Sequence, residues 1–167
     1  GTYGVQVTSS TPVGAAVRMV RSGAEYPQRS KALIHDQAWA QAGLPGAADS
    51  GLLAVPRASS LSSAVTVANS GETTSVTLSS LDGSWKQDVK VAKGSSSVVE
   101  VPAKVSAVRL NAAGRKGSSG TSHAPSGLAA ATIVTAQAGG DLTGTLISTV
   151  PAQPDATVQA QRRILLD

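Results

Sequence analysis

Residues that could carry chemistry are few and scattered in this 167-residue sequence. The two histidines, His35 and His123, lie far apart, and no His-x-x-x-His pattern or cysteine pair gives the spacing of a zinc site. His35 and Asp36 could supply two metal ligands, but we favour a surface turn for this pair. No Gly-x-Ser-x-Gly elbow marks one of the many serines as a nucleophile. We therefore predict no catalytic, cofactor-binding or metal-ligating residue.

The carboxylates do not suggest glycoside hydrolysis either. That reaction needs two acids on opposite sides of the scissile bond, one with a raised pKa. Glu72 and Asp82 occupy turn-like sequences, where acids commonly serve solubility and turn bonding. Glu100 is expected to face solvent from a strand. We expect this chain to be non-enzymatic.

Aromatic side chains are the strongest candidates for binding. The sequence holds no Phe and only four large rings, which are Tyr3, Tyr26, Trp39 and Trp85. A sugar can stack on such a ring, and we select Trp85 and Trp39 as candidate stacking residues. Trp85 follows a tight turn and could be exposed at a sheet end. The favoured alternative for both tryptophans is a core role.

Charge and composition indicate which cellular compartment and which classes of binding partner suit this chain. The net charge is +4, but the basic residues are scattered and lack neighbouring aromatic platforms, so we predict no nucleic-acid binding. This charge suits weak attraction to anionic wall polymers or lipid head groups. The absence of cysteine suits an exported bacterial protein. No apolar run approaches the ~20 residues of a membrane span, so we predict no transmembrane segment.

The elements that must position these residues are predicted to be strands. Val, Thr, Ser and Gly dominate, and turn signals recur every ~8–12 residues, which is typical of an antiparallel sandwich. A hairpin turn is predicted at 69–71, a second tight turn at the Asp-Gly step of 81–84, and a surface loop at 113–127. The predicted strands are 64–68, 74–78, 87–91, 98–101, 107–110, 128–134, 143–150 and 157–166.

The N-terminal third is less regular. Residues 5–7 and 13–20 are predicted to be strands, and 31–42 to be a helix or an irregular loop pinned by Trp39. A faint internal repeat suggests two packed β units. We predict an all-β, antiparallel, immunoglobulin-like sandwich. Its predicted parts are a partial N-terminal β unit over 1–51, with one irregular or short helical insertion, and the main sandwich over 52–167.

Two stretches resemble a known protein family. One is residues 5–18, followed by His-Asp-Gln-Ala-Trp at 35–39, and the other is the Leu-Ala-Val-Pro step at 53–56, followed by 65–69 and the Asp-Gly turn. Together they resemble uncharacterised secreted or membrane-anchored actinobacterial proteins with a C-terminal β-rich domain of unknown function. Some members are fused to, or described as, a glycosyltransferase. The resemblance implies an extracytoplasmic β-rich domain and transfers no catalytic residue.

Two functions follow as hypotheses. The first is a non-catalytic extracytoplasmic module with a structural, adhesive or protein-interaction role, whose partner is cell-wall polymer or another surface protein. The alternative is a carbohydrate-binding accessory domain of a glycan-handling enzyme such as a glycosyltransferase. An exposed tryptophan flanked by polar hydrogen-bonding side chains would favour the alternative, whereas a buried tryptophan would favour the first.

Overall fold

The computed structural model is all-β, as predicted, and describes residues 4–11, 13–25, 33–42, 48–112, 127–137 and 145–155. No helix in these ranges is long and apolar enough to cross a membrane. The strands are β1 (Ala16–Glu25), β2 (Leu33–Gln41), β3 (Ser50–Ala54), β4 (Leu61–Asn69), β5 (Thr74–Ser80), β6 (Lys86–Val91), β7 (Ser95–Glu100), β8 (Ala107–Ala112), β9 (Leu128–Gln137), β10 (Thr145–Pro151) and β11 (Gln153–Pro154).

Two antiparallel sheets form a sandwich, and a separate two-stranded hairpin adjoins it. One sheet has four strands in the order β10-β9-β4-β7, and the other has five in the order β11-β3-β8-β5-β6. The hairpin is β1-β2. Within the sandwich, only β5-β6 and β9-β10 are neighbours in both sequence and space, so the chain repeatedly crosses from one sheet to the other. The sandwich prediction is confirmed, and the immunoglobulin-like assignment stays a prediction.

The core between the sheets is aliphatic. Its largest fully buried side chains are Leu53, Leu78 and Leu110, each 0% exposed, and all three lie on the five-stranded sheet. Valines complete the same cluster from the four-stranded sheet, among them Val65 and Val67 of β4. Burying each of these side chains stabilises the fold by roughly 1.5–3 kcal/mol. Along β5 the buried residues alternate with period two, as expected of a strand with one face in the core.

Glycines with positive φ angles occupy two of the tight turns. Gly83 has φ of +73° and Gly94 of +68°, a backbone region that L-residues with a Cβ rarely adopt. Gly83 turns β5 into β6, which confirms the turn predicted at 81–84. The turn predicted at 69–71 is also present, but it does not close a hairpin, because β4 and β5 lie in different sheets.

The prediction at 31–42 requires a correction. Residues 33–41 form strand β2 and pair with β1 from Ala16 to Glu25, so neither a helix nor an irregular loop is present in the described part of this segment. Asp36, Ala38 and Ala40 alternate with polar or exposed residues, which is the period of a strand. The rough helical spacing of the apolar residues was therefore misleading, because cross-strand pairing outweighs a weak local preference for helix.

The remaining predicted strands and boundaries compare with the structure as follows. Residues 5–7 form no strand, and the first strand begins at Ala16 rather than at residue 13. The predicted boundary at residue 51/52 falls within β3, and the division into two units stays a prediction. Most of the loop predicted at 113–127 and the strand predicted at 157–166 lie outside the described residues.

Candidate functional site

Trp39 lies on the exposed face of the β1-β2 hairpin. Its Cα partner across the ladder is Arg18, and the neighbouring pairs on this face are Val20–Gln37 and Ala16–Gln41. Directly paired residues project to the same side of an antiparallel ladder. Trp39 is 58% exposed and Val20 is 52% exposed. We call the surface formed by these six residues the Trp39 face; its members are Ala16, Arg18, Val20, Gln37, Trp39 and Gln41.

The opposite side of the hairpin packs onto the sandwich. Ala38 is buried and its Cα partner Met19 is half-buried, whereas the intervening residues of β2 are exposed. This alternation explains why Trp39 faces solvent. One side of a two-stranded ribbon is buried, so the residues at odd positions of β2 must face outward.

Two hydrogen bonds fix β2 to the edge strand β10. The Asp36 carboxylate accepts a hydrogen bond from the backbone N–H of Ile147. The Thr149 hydroxyl donates to the backbone carbonyl of Trp39 at 3.2 Å. β10 is the outer strand of its sheet, so these contacts cover polar groups of an otherwise open edge. The backbone that carries Trp39 is thus held in place directly, which limits the main-chain motion at the position of the indole.

The chemistry available on the Trp39 face is stacking and hydrogen bonding. An indole offers a flat apolar surface with an N–H donor at its rim. The amides of Gln37 and Gln41 each provide donors and an acceptor, and the Arg18 guanidinium adds five N–H donors. All four side chains are exposed. The face therefore matches a flat ligand with an apolar surface and a polar perimeter.

Trp85 occupies a different part of the fold and is partly buried. Its backbone N–H donates to the Ser80 hydroxyl at 2.9 Å, and its carbonyl accepts from the Ser80 N–H at 2.9 Å. The indole packs against the central core cluster just before β6. The core role predicted for Trp85 is confirmed, whereas the same prediction for Trp39 is wrong. The two candidate residues are not brought together, because one lies on the hairpin and the other beside the five-stranded sheet.

The histidines and carboxylates add no metal centre to the described part of the chain. No group of three His, Cys, Asp or Glu residues in these ranges could hold a metal ion. The surface turn predicted for His35 and Asp36 is wrong, because both belong to β2. His123 lies outside the described residues. Asp36 is instead used structurally, through its hydrogen bond to Ile147.

Two exposed acids have lowered pKa values. The Lys93 ammonium hydrogen-bonds the Glu72 carboxylate at 2.7 Å, which lowers the pKa of Glu72. The pKa of Asp82 falls to about 2, first because of a hydrogen bond from the Ser80 hydroxyl and then because of the Ser84 backbone N–H and hydroxyl. A glycosidase general acid requires a shift in the opposite direction. Glu100 is exposed, as predicted.

Sequence reasoning selected Trp39 but missed the residues around it. Gln37, Trp39 and Gln41 alternate along β2 with Ala38 and Ala40, a signal that a period-two interpretation of 33–41 would have detected. Arg18 could not have been assigned to this face without the ladder register, since it lies 21 positions away in the sequence. Arg18 lies beside Trp39 only because β1 pairs with β2.

Residues 1–102 match a family described as a family of unknown function, DUF5719. No curated protein and no solved structure matches the chain. The match ends between β7 and β8, although β8 and β9 are central strands of the two sheets. In this chain the sandwich therefore includes strands beyond the matched residues. Since the match covers more than half of the 167 residues, the chain belongs to the DUF5719 family of unknown function.

Proposed function

We propose that this chain is a non-catalytic module of an extracytoplasmic protein and that it binds a cell-wall glycan through the Trp39 face. The observation that carries the proposal is the position of Trp39, which is 58% exposed on a strand whose backbone is bonded to β10. A large aromatic ring is normally buried to a greater extent. An exposed indole on a backbone that is held in place suits stacking against a ligand.

The polar perimeter of the face favours a glycan. Gln37 and Gln41 flank Trp39 on one strand, and Arg18 lies opposite it. Side-chain amides and a guanidinium can hydrogen-bond several hydroxyl groups at once, while the indole covers the apolar face of a pyranose ring. The net charge of +4 adds a weak attraction to anionic wall polymers.

A second candidate is an adhesive or structural role through protein contact at the same face. Val20 is 52% exposed beside Gln37 and extends the apolar part of the surface. Aromatic residues and arginine are enriched where proteins meet, and Trp and Arg frequently dominate the binding energy. The glycan and the protein partner would occupy the same face, so one experiment can separate them.

The proposed compartment and parent protein follow from composition and from the family resemblance. The sequence contains no cysteine, which suits export from a bacterial cell. The chain also resembles secreted or membrane-anchored actinobacterial proteins, some of which are fused to, or described as, a glycosyltransferase. This resemblance supports an extracytoplasmic location. In that setting the module would hold a glycan-handling enzyme close to its polymer, and the local concentration of substrate would rise without any reaction in this chain.

Co-sedimentation with insoluble bacterial cell walls tests the proposal. The native chain should sediment with walls, and Trp39→Ala should remain in the supernatant. Leu81→Ala is the matched control, because it removes another exposed apolar side chain, 54% exposed, far from the hairpin in sequence. Its binding should equal that of the native chain.

Treatment of the walls separates the two candidates. Binding to a glycan should survive protease digestion of the walls and should be lost after digestion by a muramidase. Loss of binding after protease treatment alone would support the protein partner. Equal sedimentation of the native chain and Trp39→Ala would contradict both candidates.

A further inference from the structure

An apolar cavity of about 220 Å³ lies between the hairpin and the outer face of the four-stranded sheet. Its floor comes from β4 and β9, and its roof from the end of the β1-β2 hairpin that holds Ala16 and Gln41, together with Val17, Met19 and Ala40. Val5 and Val7, which are 64% and 58% exposed, belong to the rim. Since these two valines are exposed at its edge, the cavity opens to solvent and a small molecule can enter without unfolding of the hairpin.

Small side chains on the sheet leave this space unfilled. The outward residues of β4 and β9 at the cavity include Ala68, Ala129 and Ala131. The N-terminal segment is held very close to the same surface, because a Cβ on Gly4 would lie only 2.7 Å from the Cβ of Ala68. Glycine at position 4 thus permits the backbone to approach the sheet, and the short side chains of the alanines leave the space beside it unfilled.

Thr66 contributes an unusual hydroxyl to this cavity. Thr66 belongs to the lining of the cavity and is only 7% exposed, with its hydroxyl oxygen fully buried. Among the described residues, it is the one buried side chain whose polar atom has no hydrogen-bond partner. Leaving a hydroxyl buried and unpaired is unfavourable by roughly 1–3 kcal/mol. A ligand that supplied the missing partner would remove this penalty.

The lining also restricts the charge of a ligand. The described lining holds no acidic or basic side chain, and its other polar groups are Gln41 and Thr149. An ionised group would lose its hydration without gaining a counter-ion, which is costly in an apolar site. A cavity of about 150 Å³ with an aliphatic and aromatic lining is known to accommodate benzene, so the present volume suffices for a small organic molecule.

We propose that this cavity binds an uncharged aliphatic molecule that carries one hydroxyl or carbonyl group. The aliphatic part would contact Ala131, Ile133 and Met19. Its oxygen would hydrogen-bond the hydroxyl of Thr66, which is fully buried without a ligand and would turn toward the cavity about χ1 on binding. This site includes neither Trp39 nor Arg18, although Ala16 and Gln41 of the Trp39 face also belong to its lining. The proposal therefore stands independently of glycan binding.

Titration with 1-octanol, followed by two-dimensional ¹H–¹⁵N NMR on the full chain, tests this site. The amide signals of Thr66 and Ala131 should shift saturably, while that of Val108 in the core should not. Octanoate at neutral pH, which has the same chain length and a negative charge, should shift neither signal. Saturation by octanoate at the same concentrations would contradict the proposed selection for neutral ligands.

Three variants sharpen the test. Thr66→Val should weaken 1-octanol binding about three- to tenfold, because it removes one hydrogen bond and preserves the shape of the side chain. Thr135→Val is its matched control, since this residue lies on the same face of β9 outside the cavity, and its binding should be unchanged. Ala131→Leu should abolish binding by filling the space beside Thr66. Absence of a saturable shift, or equal affinity in Thr66→Val and the native chain, would overturn the proposal.

Discussion

Arg18 and Trp39 are direct partners across the β1-β2 ladder, and both side chains are exposed on the same face. They come from separate strands, so the surface exists only while the hairpin is formed. The carbonyl of Trp39 also accepts a hydrogen bond from Thr149 of β10. The binding surface proposed for this chain thus depends on both the pairing within the hairpin and its attachment to the sandwich.

Replacing Arg18 tests whether the perimeter of the face contributes to binding. Arg18→Ala should weaken glycan binding about tenfold through the loss of a charged hydrogen-bond donor. The free energy of unfolding should change by less than ~0.5 kcal/mol, because the side chain is exposed. Isothermal titration calorimetry and urea unfolding measure the two quantities. Lys90→Ala removes an exposed positive charge from β6 and should leave affinity unchanged; an equal loss there would indicate a general charge effect.

Two buried threonines should respond in opposite directions to the same substitution. Thr66→Val removes an unpaired hydroxyl and should raise the free energy of unfolding by ~1 kcal/mol. Thr132→Val removes a hydroxyl that donates to the Ala54 carbonyl at 2.7 Å, and it should lower the same quantity by about 1–2 kcal/mol. Urea unfolding of the two variants measures both. Changes of the same sign would contradict the assignment of the Thr66 hydroxyl as unpaired.

Asn69 should be the most sensitive polar residue of the β4–β5 connection. Its amide donates to the carbonyls of Glu72 and Val91, its carbonyl oxygen accepts from the Gly71 N–H, and the residue is 2% exposed. Asn69→Ala should lower the free energy of unfolding by about 2–4 kcal/mol, because three backbone groups lose their partner.

Asn111→Ala provides the matched control for Asn69. Asn111 lies exposed on β8, and its replacement should change the free energy of unfolding by less than ~0.5 kcal/mol. Thermal and urea unfolding compare the two variants. Similar losses in both would show that the loss of an asparagine amide as such, rather than the hydrogen bonds of this turn, determines the effect.

Stability should decrease in acid partly through the turn at Asp82. The folded pKa of Asp82 is about 2, below its ordinary value of 3.8, because the hydroxyl of Ser80 and the N–H and hydroxyl of Ser84 hydrogen-bond the carboxylate. The folded state therefore binds this proton more weakly than the unfolded state. Its contribution is fully present above pH ~4 and is lost as the pH falls toward 2.

Asp82→Asn isolates that contribution. The variant should show a smaller decrease in the urea midpoint between pH 4 and pH 2 than the native chain. Glu72, whose pKa is lowered by Lys93, remains in both proteins and provides a common background. Identical pH profiles would contradict a role for the Asp82 carboxylate in the stability of this turn.

The sequence predicted the sandwich well because its signals are local. Alternating Val and Thr on β4, the Asp-Gly step at Gly83 and the small residues between strands each specify nearby backbone geometry. Which strand lies beside which is decided by residues far apart in the sequence, so the sequence was less informative about strand order. Residues 69–71 signal a turn, but the choice between a hairpin and a crossover depends on which sheet accepts β5.

The surroundings of Trp39 and Thr66 escaped prediction for the same reason. Whether an isolated tryptophan is buried depends on which side of its strand is covered, and that side was obscured by the helical interpretation of 31–42. Thr66 alternates with the inward residues Val65 and Val67 and should face solvent in an isolated sheet. It is buried because the hairpin and the N-terminal segment cover this face, a packing choice with no local sequence signature.

Fluorescence of Trp39 in the Trp85→Phe variant tests the central claim most directly. With Trp85 replaced, Trp39 is the sole tryptophan of the chain. Acrylamide quenching is measured with and without soluble peptidoglycan strands and wall polysaccharides. The proposed function predicts strong quenching that one of these glycans suppresses in a saturable manner, with Arg18→Ala shifting saturation to higher concentration. Strong quenching unchanged by every glycan would contradict glycan binding through Trp39.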